Sequence, residues 1–295
     1  MMQILSLNKL AIELKVPRKV LEDVASNKSN YYHPYIKKET KKDGSTKERR
    51  IDNPNKSIRQ LQKRINKKIL NPECKKLPEY MTGCIPGRSA VNNARPHKSS
   101  QAILAVDIAN CFPSITTDKV YDVFRNKLNC SPPVAKVLTK LTTYGDRLPQ
   151  GAPTSPSLCN LVLQDLSEKL HRLSQESGLT FTQYVDDLTF SGSLKTLSNQ
   201  KPKIIRLVES YDFKVNPKKL KLSRSFERME VTGLVVNKFL SVGRNYIRNV
   251  ERDILRHGDE TRIKGKISHI QSVSKTKSTK LKKKLKTSLD IKTKD

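Results

Sequence analysis

Two adjacent aspartates offer the clearest chemistry in the sequence. Asp186 and Asp187 lie between two short apolar and β-branched runs, residues 181–185 and 188–190. Such runs predict two strands joined by a tight turn, with both carboxylates at its tip. Neighbouring carboxylates repel each other unless a cation neutralises them, and Mg²⁺ prefers oxygen ligands of this kind. Taken alone, an Asp-Asp dipeptide is more often an ordinary polar turn, so the rest of the chain must decide.

A third carboxylate strengthens the metal hypothesis. Asp107 follows the apolar run 102–106, which predicts a buried strand that ends at this residue. If that strand lies beside the hairpin of Asp186 and Asp187, the three carboxylates meet. Such a cluster can hold two metal ions ~3.5–4 Å apart and promote in-line phosphoryl displacement. One ion would lower the pKa of an attacking hydroxyl, and the other would balance charge on a leaving pyrophosphate.

The charge of the chain indicates the partner. Its 295 residues carry 58 Lys and Arg against 28 Asp and Glu, a net charge of +30. Such an excess repels itself unless a polyanion neutralises it, which favours nucleic acid over a membrane surface. No apolar run is long enough for a transmembrane helix, and the first residues lack the features of a signal peptide. The five scattered cysteines have no Cys-x-x-Cys spacing, so we expect reduced thiols in a cytoplasmic protein.

The elements around the carboxylates predict a mixed α/β fold. Two short helices should open the chain, and a basic hairpin over 37–52 should turn at Asp43 and Gly44. The end of the chain should form basic helices with apolar stripes. The stripes consist of Ile263, Ile267 and Ile270 and of Leu281, Leu285 and Leu289.

At this point the chain resembles a known family. Tyr184-Val185-Asp186-Asp187 resembles the Tyr-x-Asp-Asp signature of reverse transcriptases. Further blocks resemble that family in the expected order, and the resemblance covers roughly residues 30–290. These blocks are residues 47–51 (Lys-Glu-Arg-Arg-Ile), 108–115 after Asp107, 148–156 (beginning Leu-Pro-Gln-Gly) and 216–219 (Asn-Pro-Lys-Lys).

The resemblance implies an α+β fold with the right-hand architecture of polymerases. An N-terminal helical segment would span 1–30, fingers and palm 31–239, and a basic helical thumb 240–295. The palm would contain an antiparallel sheet with the Tyr-Val-Asp-Asp hairpin. The implied activity is RNA-directed DNA synthesis with two Mg²⁺ ions, for which Mn²⁺ is a substitute.

The resemblance also assigns roles to single residues. Phe112 would exclude the ribose 2′-hydroxyl, Tyr184 would touch the primer end, and Lys219 would donate a proton to pyrophosphate. Leu220 stands where relatives often have Thr, which departs from the pattern beside Lys219. The deoxynucleoside triphosphate would lie against Lys47, Arg49, Gln150 and Gly151, and the metal ions against Asp107, Asp186 and Asp187.

Two short blocks resemble the retron branch of this family. Asn93-Ala94-Arg95-Pro96-His97 fits an Asn-Ala-x-x-His element, and Val231-Thr232-Gly233 fits a Val-Thr-Gly element. The resemblance suggests that Asn93, Ala94, His97, Val231, Thr232 and Gly233 contact RNA. It further implies a cognate noncoding RNA as template, priming from a guanosine 2′-hydroxyl, a branched RNA–DNA product, and a separate effector protein in bacterial antiphage defence.

Three other interpretations remain open at this stage. The chain could be another stand-alone bacterial reverse transcriptase, of the intron-like, diversity-generating or defence-associated type. It could be an RNA-dependent RNA polymerase, although Val185 and Phe112 replace the glycine and polar residue usual there. It could also be a catalytically idle RNA-binding relative, against which the three intact carboxylates argue.

Overall fold

The computed structural model describes residues 4–40, 46–256 and 258–292, with side chains to residue 288. The predicted turn at Asp43 and Gly44 and the side chain of Leu289 lie outside this description. The strands are β1 (Tyr32–Thr40), β2 (Thr46–Pro54), β3 (Ala102–Ala109), β4 (Thr180–Tyr184), β5 (Asp187–Gly192), β6 (Lys214–Val215), β7 (Lys221–Arg224), β8 (Glu230–Val231), β9 (Leu234–Val235) and β10 (Ser241–Val242).

The helices surround these strands and extend beyond them at both ends of the chain. They are α1 (Leu7–Leu14), α2 (Arg18–Ser26), α3 (Lys56–Ile65), α4 (Asn71–Cys74), α5 (Ala90–Ala94), α6 (Cys111–Ser114), α7 (Thr117–Asp122), α8 (Pro132–Thr142), α9 (Ser155–Glu176), α10 (Leu194–Glu209), α11 (Arg244–Leu255), α12 (Glu260–Gln271) and α13 (Lys275–Lys292).

A central antiparallel sheet organises the molecule. Its order is β4-β5-β3-β6, and β7 also pairs with β3. Two smaller antiparallel sheets accompany it, the hairpin β1–β2 and the meander β8–β9–β10. The expected mixed α/β fold with antiparallel strands is therefore confirmed.

One boundary of the central sheet differs from the prediction. The strand that carries Asp107 does not end there but continues to Ala109. The reason is pairing, because Ile108 and Ala109 lie opposite Val215 and Lys214 of β6. Asp107 is thus held inside a strand with neighbours on both sides, which fixes its backbone more firmly than a strand end would.

Two hydrophobic clusters divide the interior. The larger one joins the central sheet to helices α1 to α4 and α6 to α10 and, through Tyr32, to the hairpin β1–β2. The smaller one joins the meander β8–β9–β10 to helices α11 to α13, and takes in Val91 and Ala94 of α5 and Ile103 of β3. The predicted apolar stripes of the last helices face this second cluster, with Ile263, Ile267, Ile270, Leu281 and Leu285 all buried.

In the described parts of the chain, no helix combines the length and the apolar character that crossing a membrane requires.

Candidate active site

A polar cleft of about 870 Å³ opens beside the central sheet. Residues far apart in the sequence converge on it, from β2, the end of β3, the loop before α9, the β4–β5 turn and the segment after β6. Most of the predicted catalytic and nucleotide-binding residues line it. These are Lys47, Arg49, Asp107, Phe112, Gln150, Gly151, Asp186, Asp187 and Lys219.

Strand pairing brings the three carboxylates together. Asp107 of β3 lies directly opposite Asp187 of β5. Asp186 occupies the turn between β4 and β5, and its carbonyl oxygen accepts a hydrogen bond of 3.1 Å from the Ile108 amide. The residue before it, Val185, has a φ of 57°. A β-branched residue rarely adopts this left-handed conformation, so the turn is strained and must be held by its surroundings.

The carboxylates are short of positive charge. Burial, together with the neighbouring charges of Asp186 and Asp107, raises the pKa of Asp187 to about 6. Burial is also the main cause that raises the pKa of Asp186, to which Asp107 contributes. Lys219 opposes both shifts without cancelling them. The cluster would therefore gain from an added cation.

Of the three carboxylates, Asp107 has close partners in Lys219 and Asn216. The Lys219 ammonium group forms an ion pair and hydrogen bond with its Oδ1. The Asn216 side chain donates to its Oδ2 at 3.1 Å, and the Asn216 amide donates to its carbonyl oxygen at 2.8 Å. The Lys219 side chain is 49% exposed. It can therefore leave Asp107 at little cost when another cation arrives.

The donor set fits a divalent cation. Among the described residues, no three His, Cys, Asp or Glu side chains are already gathered at metal-binding spacing. The oxygens available are nonetheless hard carboxylate donors on paired strands, which suit Mg²⁺. The raised pKa values of Asp186 and Asp187 identify the negative charge that such an ion would relieve.

Phe112 faces this cluster from the start of α6. Asn110, just before α6, has a left-handed φ of 48° and turns the chain sharply after β3. Cys111 is buried, with its Sγ 3.4 Å from Sγ of Cys159 on α9. This anchor leaves Phe112 half-buried at the cleft wall, packed against the main core on one side. Its ring is thus held rigidly within the cleft.

The loop before α9 is joined to β2. The amide of Asp52 donates to the Gln150 carbonyl oxygen at 2.8 Å. Gly151 has a φ of +116°, and a Cβ there would lie 3.1 Å from Cγ2 of Ile51. The positive φ favours glycine, and the Ile51 methyl group would have to shift to admit a side chain. The contact keeps Gln150 and Gly151 beside the strand that carries Lys47 and Arg49.

The sequence interpretation missed several cleft residues. Asp52 is buried and pairs with Arg50 Nε at 2.9 Å and with Arg147 Nη2 at 3.9 Å. Both arginines line the cleft and add to its positive charge. Arg147 directly precedes the Leu-Pro-Gln-Gly block and carries no signal of its own. Asn216 could have been found, because it opens the block that contains Lys219.

Tyr184 lies beside the cleft and not in its lining. It is the last residue of β4, opposite Asp187. It is half-buried, and burial raises its pKa. Tyr184 lies next to the turn that carries Asp186. Its contact with a primer end remains a prediction.

The predicted RNA contacts of the Asn-Ala-x-x-His block need correction. Asn93, Ala94 and His97 are fully buried, whereas Arg95 and Pro96 between them are exposed. Side chains without accessible surface cannot touch a macromolecule directly, so a direct RNA contact by these three is wrong for this structure. The physical reason is that they face the interior, where His97 hydrogen-bonds to Ser191 and Thr182 of the central sheet and the Asn93 carbonyl oxygen accepts from Thr182.

The Val-Thr-Gly block also contains both buried and accessible residues. Val231 is buried in the second cluster, so a direct RNA contact by its side chain is also excluded. Thr232 and Gly233 form the turn between β8 and β9 with φ values of 47° and 78°. Thr232 Oγ1 donates to the Ala90 carbonyl oxygen at 3.1 Å, and Gly233 is exposed. RNA contact by these two turn residues stays a prediction.

Comparison with known proteins gives a consistent result. Residues 36–236 match the family described as reverse transcriptase (RNA-dependent DNA polymerase). The retron Se72 reverse transcriptase of Salmonella heidelberg is 33% identical over 254 residues, which are 82% of this chain and 66% of that protein. The retron Ec86 reverse transcriptase of Escherichia coli is 31% identical over 240 residues, which are 79% of this chain and 74% of that protein.

A third relative comes from another organism. The retron Mx65 reverse transcriptase of Myxococcus xanthus is 34% identical over 212 residues, which are 65% of this chain and 48% of that protein. The matched region of the chain thus spans between about half and three quarters of the length of these three relatives.

Proposed function

Because the chain belongs to the reverse transcriptase family and is of the retron type within it, we propose that it is an RNA-directed DNA polymerase. The observation that carries the proposal is the convergence of Asp107, Asp186 and Asp187 with Phe112 and Gln150 in one cleft. The three carboxylates can hold the metal ions that assist phosphoryl transfer. Phe112 and Gln150 lie where the sugar and base of a nucleotide would enter.

The proposed division of labour follows the walls of the cleft. Lys47 and Arg49 on β2 bind the triphosphate of a deoxynucleotide, because both are cationic and line the cleft. Phe112 fills the space that a 2′-hydroxyl would need. Gln150 and Gly151, fixed to β2 through Asp52, lie beside the nucleotide. Tyr184 approaches the primer end from the last position of β4.

Asp107, Asp186 and Asp187 would hold the two divalent ions, Mg²⁺ or alternatively Mn²⁺. When bound, these ions supply Lewis-acid charge at the attacking and leaving oxygens. Lys219, which is half-exposed in its pair with Asp107, would be the group that gives a proton to pyrophosphate once that pair opens.

The architecture proposed is a right hand. The hairpin β1–β2 with α3 forms the fingers, the central sheet with α9 and α10 the palm, and helices α11 to α13 the thumb. The boundaries at residues 30 and 239 remain predictions. The thumb helices carry most of the C-terminal lysines, so they are the surface proposed to hold duplex and structured RNA.

The retron relationship extends the proposal to the substrate. The template is a cognate noncoding RNA, and a guanosine 2′-hydroxyl primes synthesis to give a branched RNA–DNA hybrid. The protein would act in the bacterial cytoplasm, together with a separate effector protein, in defence against phages. These parts rest on the likeness to retron enzymes.

The test is primer extension on an RNA template by the wild type and by Asp186→Asn/Asp187→Asn. We expect the double variant to lose DNA synthesis while its RNA affinity stays within about twofold, because the carboxylates face the cleft and not the basic surface. Asp165→Asn/Glu168→Gln makes the same change in net charge on the exposed side of α9 and should extend the primer normally. Extension by the Asp186/Asp187 variant would refute the carboxylate mechanism.

Two further measurements separate the remaining interpretations. An idle RNA-binding relative would bind RNA without extending any primer, even as the wild type. Sequencing the nucleic acid that copurifies with the protein would reveal whether a branched RNA–DNA product exists. Linear products alone would favour another type of bacterial reverse transcriptase.

A further inference from the structure

We propose that His97 is a positioning residue that fastens the two strands of the catalytic hairpin to each other, and that Asn93 extends this connection. This inference rests on the proposed function for its catalytic consequence. It gives the buried Asn-Ala-x-x-His block a role in placing Asp186 and Asp187 instead of a role in reading RNA.

His97 bridges β4 and β5 with one ring nitrogen on each strand. Its Nδ1 lies 2.7 Å from Ser191 Oγ on β5, and its Nε2 lies 2.7 Å from Thr182 Oγ1 on β4. Thr182 pairs with Thr189, so Ser191 is the diagonal neighbour two residues along on the same face. A rigid ring between these two hydroxyls fixes the register and twist of the hairpin.

The donors and acceptors form a continuous chain in one direction. The Thr182 hydroxyl has one proton, which it donates to the Asn93 carbonyl oxygen at 3.2 Å. It therefore accepts from His97 Nε2–H, and the unprotonated Nδ1 accepts from the Ser191 hydroxyl. This arrangement requires a neutral imidazole. Burial lowers the pKa of His97 to about 4, in agreement with that requirement.

Asn93 makes a second connection to β4. The Thr82 hydroxyl lies between the two: its Oγ1 is 2.8 Å from Asn93 Oδ1 and 2.9 Å from the Gln183 carbonyl oxygen, and both oxygens can accept its proton. Thr82 thus links the Asn93 side chain to the backbone of β4.

The hydrogen bonds of His97 and Asn93 lie at a distance from the catalytic carboxylates. Thr182 precedes Asp186 by four residues and Ser191 follows Asp187 by four, so each lies ~13 Å from its carboxylate along an extended strand. His97 therefore does not touch the reacting atoms. It acts through the hairpin, in which a small change of twist displaces the tip relative to Asp107.

The exposure pattern of the block agrees with this role. The residues that define the block, Asn93, Ala94 and His97, are buried, while Arg95 and Pro96 face solvent. A block that reads RNA directly would show the reverse pattern. On its other side the block contacts the second cluster through Val91 and Ala94, so it lies between the hairpin and the C-terminal helices.

The test uses single hydroxyl deletions, Thr182→Val and Ser191→Ala, with His97→Gln as the conservative variant. Matched controls are Thr143→Val and Ser174→Ala, which remove buried hydroxyls that bond only to helix carbonyls of α8 and α9. All variants are compared by thermal unfolding, by RNA affinity, and by kcat and KM for deoxynucleotide on a saturating preformed RNA template with DNA primer.

We expect the two hairpin variants to lose about tenfold in kcat, with KM and RNA affinity within about twofold, since misplacement of reacting groups mainly reduces kcat. The controls should keep kcat while losing comparable thermal stability. His97→Gln retains a donor toward Thr182 and should fall between wild type and Thr182→Val. Equal kcat in hairpin and control variants would overturn the proposal, and so would weaker RNA binding at unchanged kcat.

Hydrogen exchange separates this proposal from the proposed function. Amides of Thr180–Gly192 should exchange faster in Thr182→Val and Ser191→Ala than in the controls, because the strands are less firmly joined. This readout does not depend on polymerase activity. A wild type without DNA synthesis would refute the proposed function alone, whereas unchanged exchange in the hairpin would refute the fastening role.

Discussion

Two sets of side chains around the catalytic hairpin are used differently. In the cleft, Lys47, Arg49 and Gln150 are accessible and leave much of their polar surface free. Farther along the strands from the turn, His97 and Thr182 are buried and hydrogen-bonded to each other. The first set suits a ligand that binds and dissociates, whereas the second suits a structure that must stay rigid.

The strained turn explains why the buried contacts are needed. Val185 adopts a left-handed conformation that costs on the order of 1–2 kcal/mol for a non-glycine residue. Its carbonyl oxygen accepts a 2.7 Å hydrogen bond from Gln183 Nε2, and the Ser167 hydroxyl of α9 holds the other end of that amide. Buried contacts thus stabilise the turn that presents Asp186 to the cleft. If this is correct, the cleft residues and the buried residues should respond differently to mutation.

The largest effect is expected at Gly83. A Cβ there would lie 2.6 Å from Val185 Cγ2 and 2.7 Å from the Tyr184 carbonyl carbon, and the latter is backbone that cannot move aside. Asn160 also holds Gly83 through a 2.7 Å hydrogen bond to its carbonyl oxygen. Gly83→Ala should therefore lower the free energy of unfolding by about 3 kcal/mol and abolish primer extension. Chemical denaturation and an extension assay check both parts; a stable, active variant would contradict the close packing.

The next effect concerns pH. The pKa of His97 is lowered to about 4 from 6.5, so between these values the unfolded chain binds more protons than the native protein. The free energy of unfolding should be independent of this residue above about pH 6.5, decrease as the pH falls to about 4, and level off below. The total contribution is roughly 3 kcal/mol. His97→Gln should lack this dependence, and identical pH profiles for both proteins would show that His97 is not buried as a neutral ring.

A cleft-side change should affect selectivity and leave stability nearly unchanged. Phe112→Ala removes the ring proposed to occupy the space of a 2′-hydroxyl. The preference for deoxynucleotides over ribonucleotides, measured as the ratio of kcat/KM, should fall about 10- to 100-fold, since a steric contact of this size contributes ~1–3 kcal/mol. Phe112→Tyr keeps the ring and should retain the preference. Unchanged selectivity of Phe112→Ala would exclude Phe112 as the sugar gate.

The sequence was sufficient to predict those parts of the site in which the catalytic residues lie within a clear local strand pattern. Asp186 and Asp187 between two apolar runs predict a hairpin, and strands β4 and β5 flank this pair. Asp107 could be placed near them only by assuming that two distant segments pair, and the register of β3 with β5 supplies that pairing. The extension of β3 to Ala109 was missed because it depends on pairing with β6, which is only two residues long and lies more than 100 residues away in the sequence.

The burial of the Asn-Ala-x-x-His block could not be predicted for a related reason. His97 and Asn93 are polar, and in a basic chain polar residues suggest a surface. Their burial depends on Thr182 and Ser191, partners 85 and 94 residues away that supply the hydrogen bonds. Only tertiary structure distinguishes a polar residue that faces RNA from one that is paired inside.

The smallest effect tests whether close packing is the cause of the Gly83 result. Gly265 lies within α12, far in sequence from the hairpin, and a Cβ there would meet no atom within 4 Å. Gly265→Ala should therefore raise the free energy of unfolding by about 0.5–1 kcal/mol, because alanine favours the helix and restricts the unfolded chain. Primer extension should not change. The same substitution would thus have opposite signs at two glycines, because Gly265 has open space within a helix whereas the backbone and side chain of neighbouring residues leave no room for a methyl group at Gly83. Destabilisation at both positions would instead point to a general intolerance of the chain to alanine and would remove the argument from close packing at the hairpin.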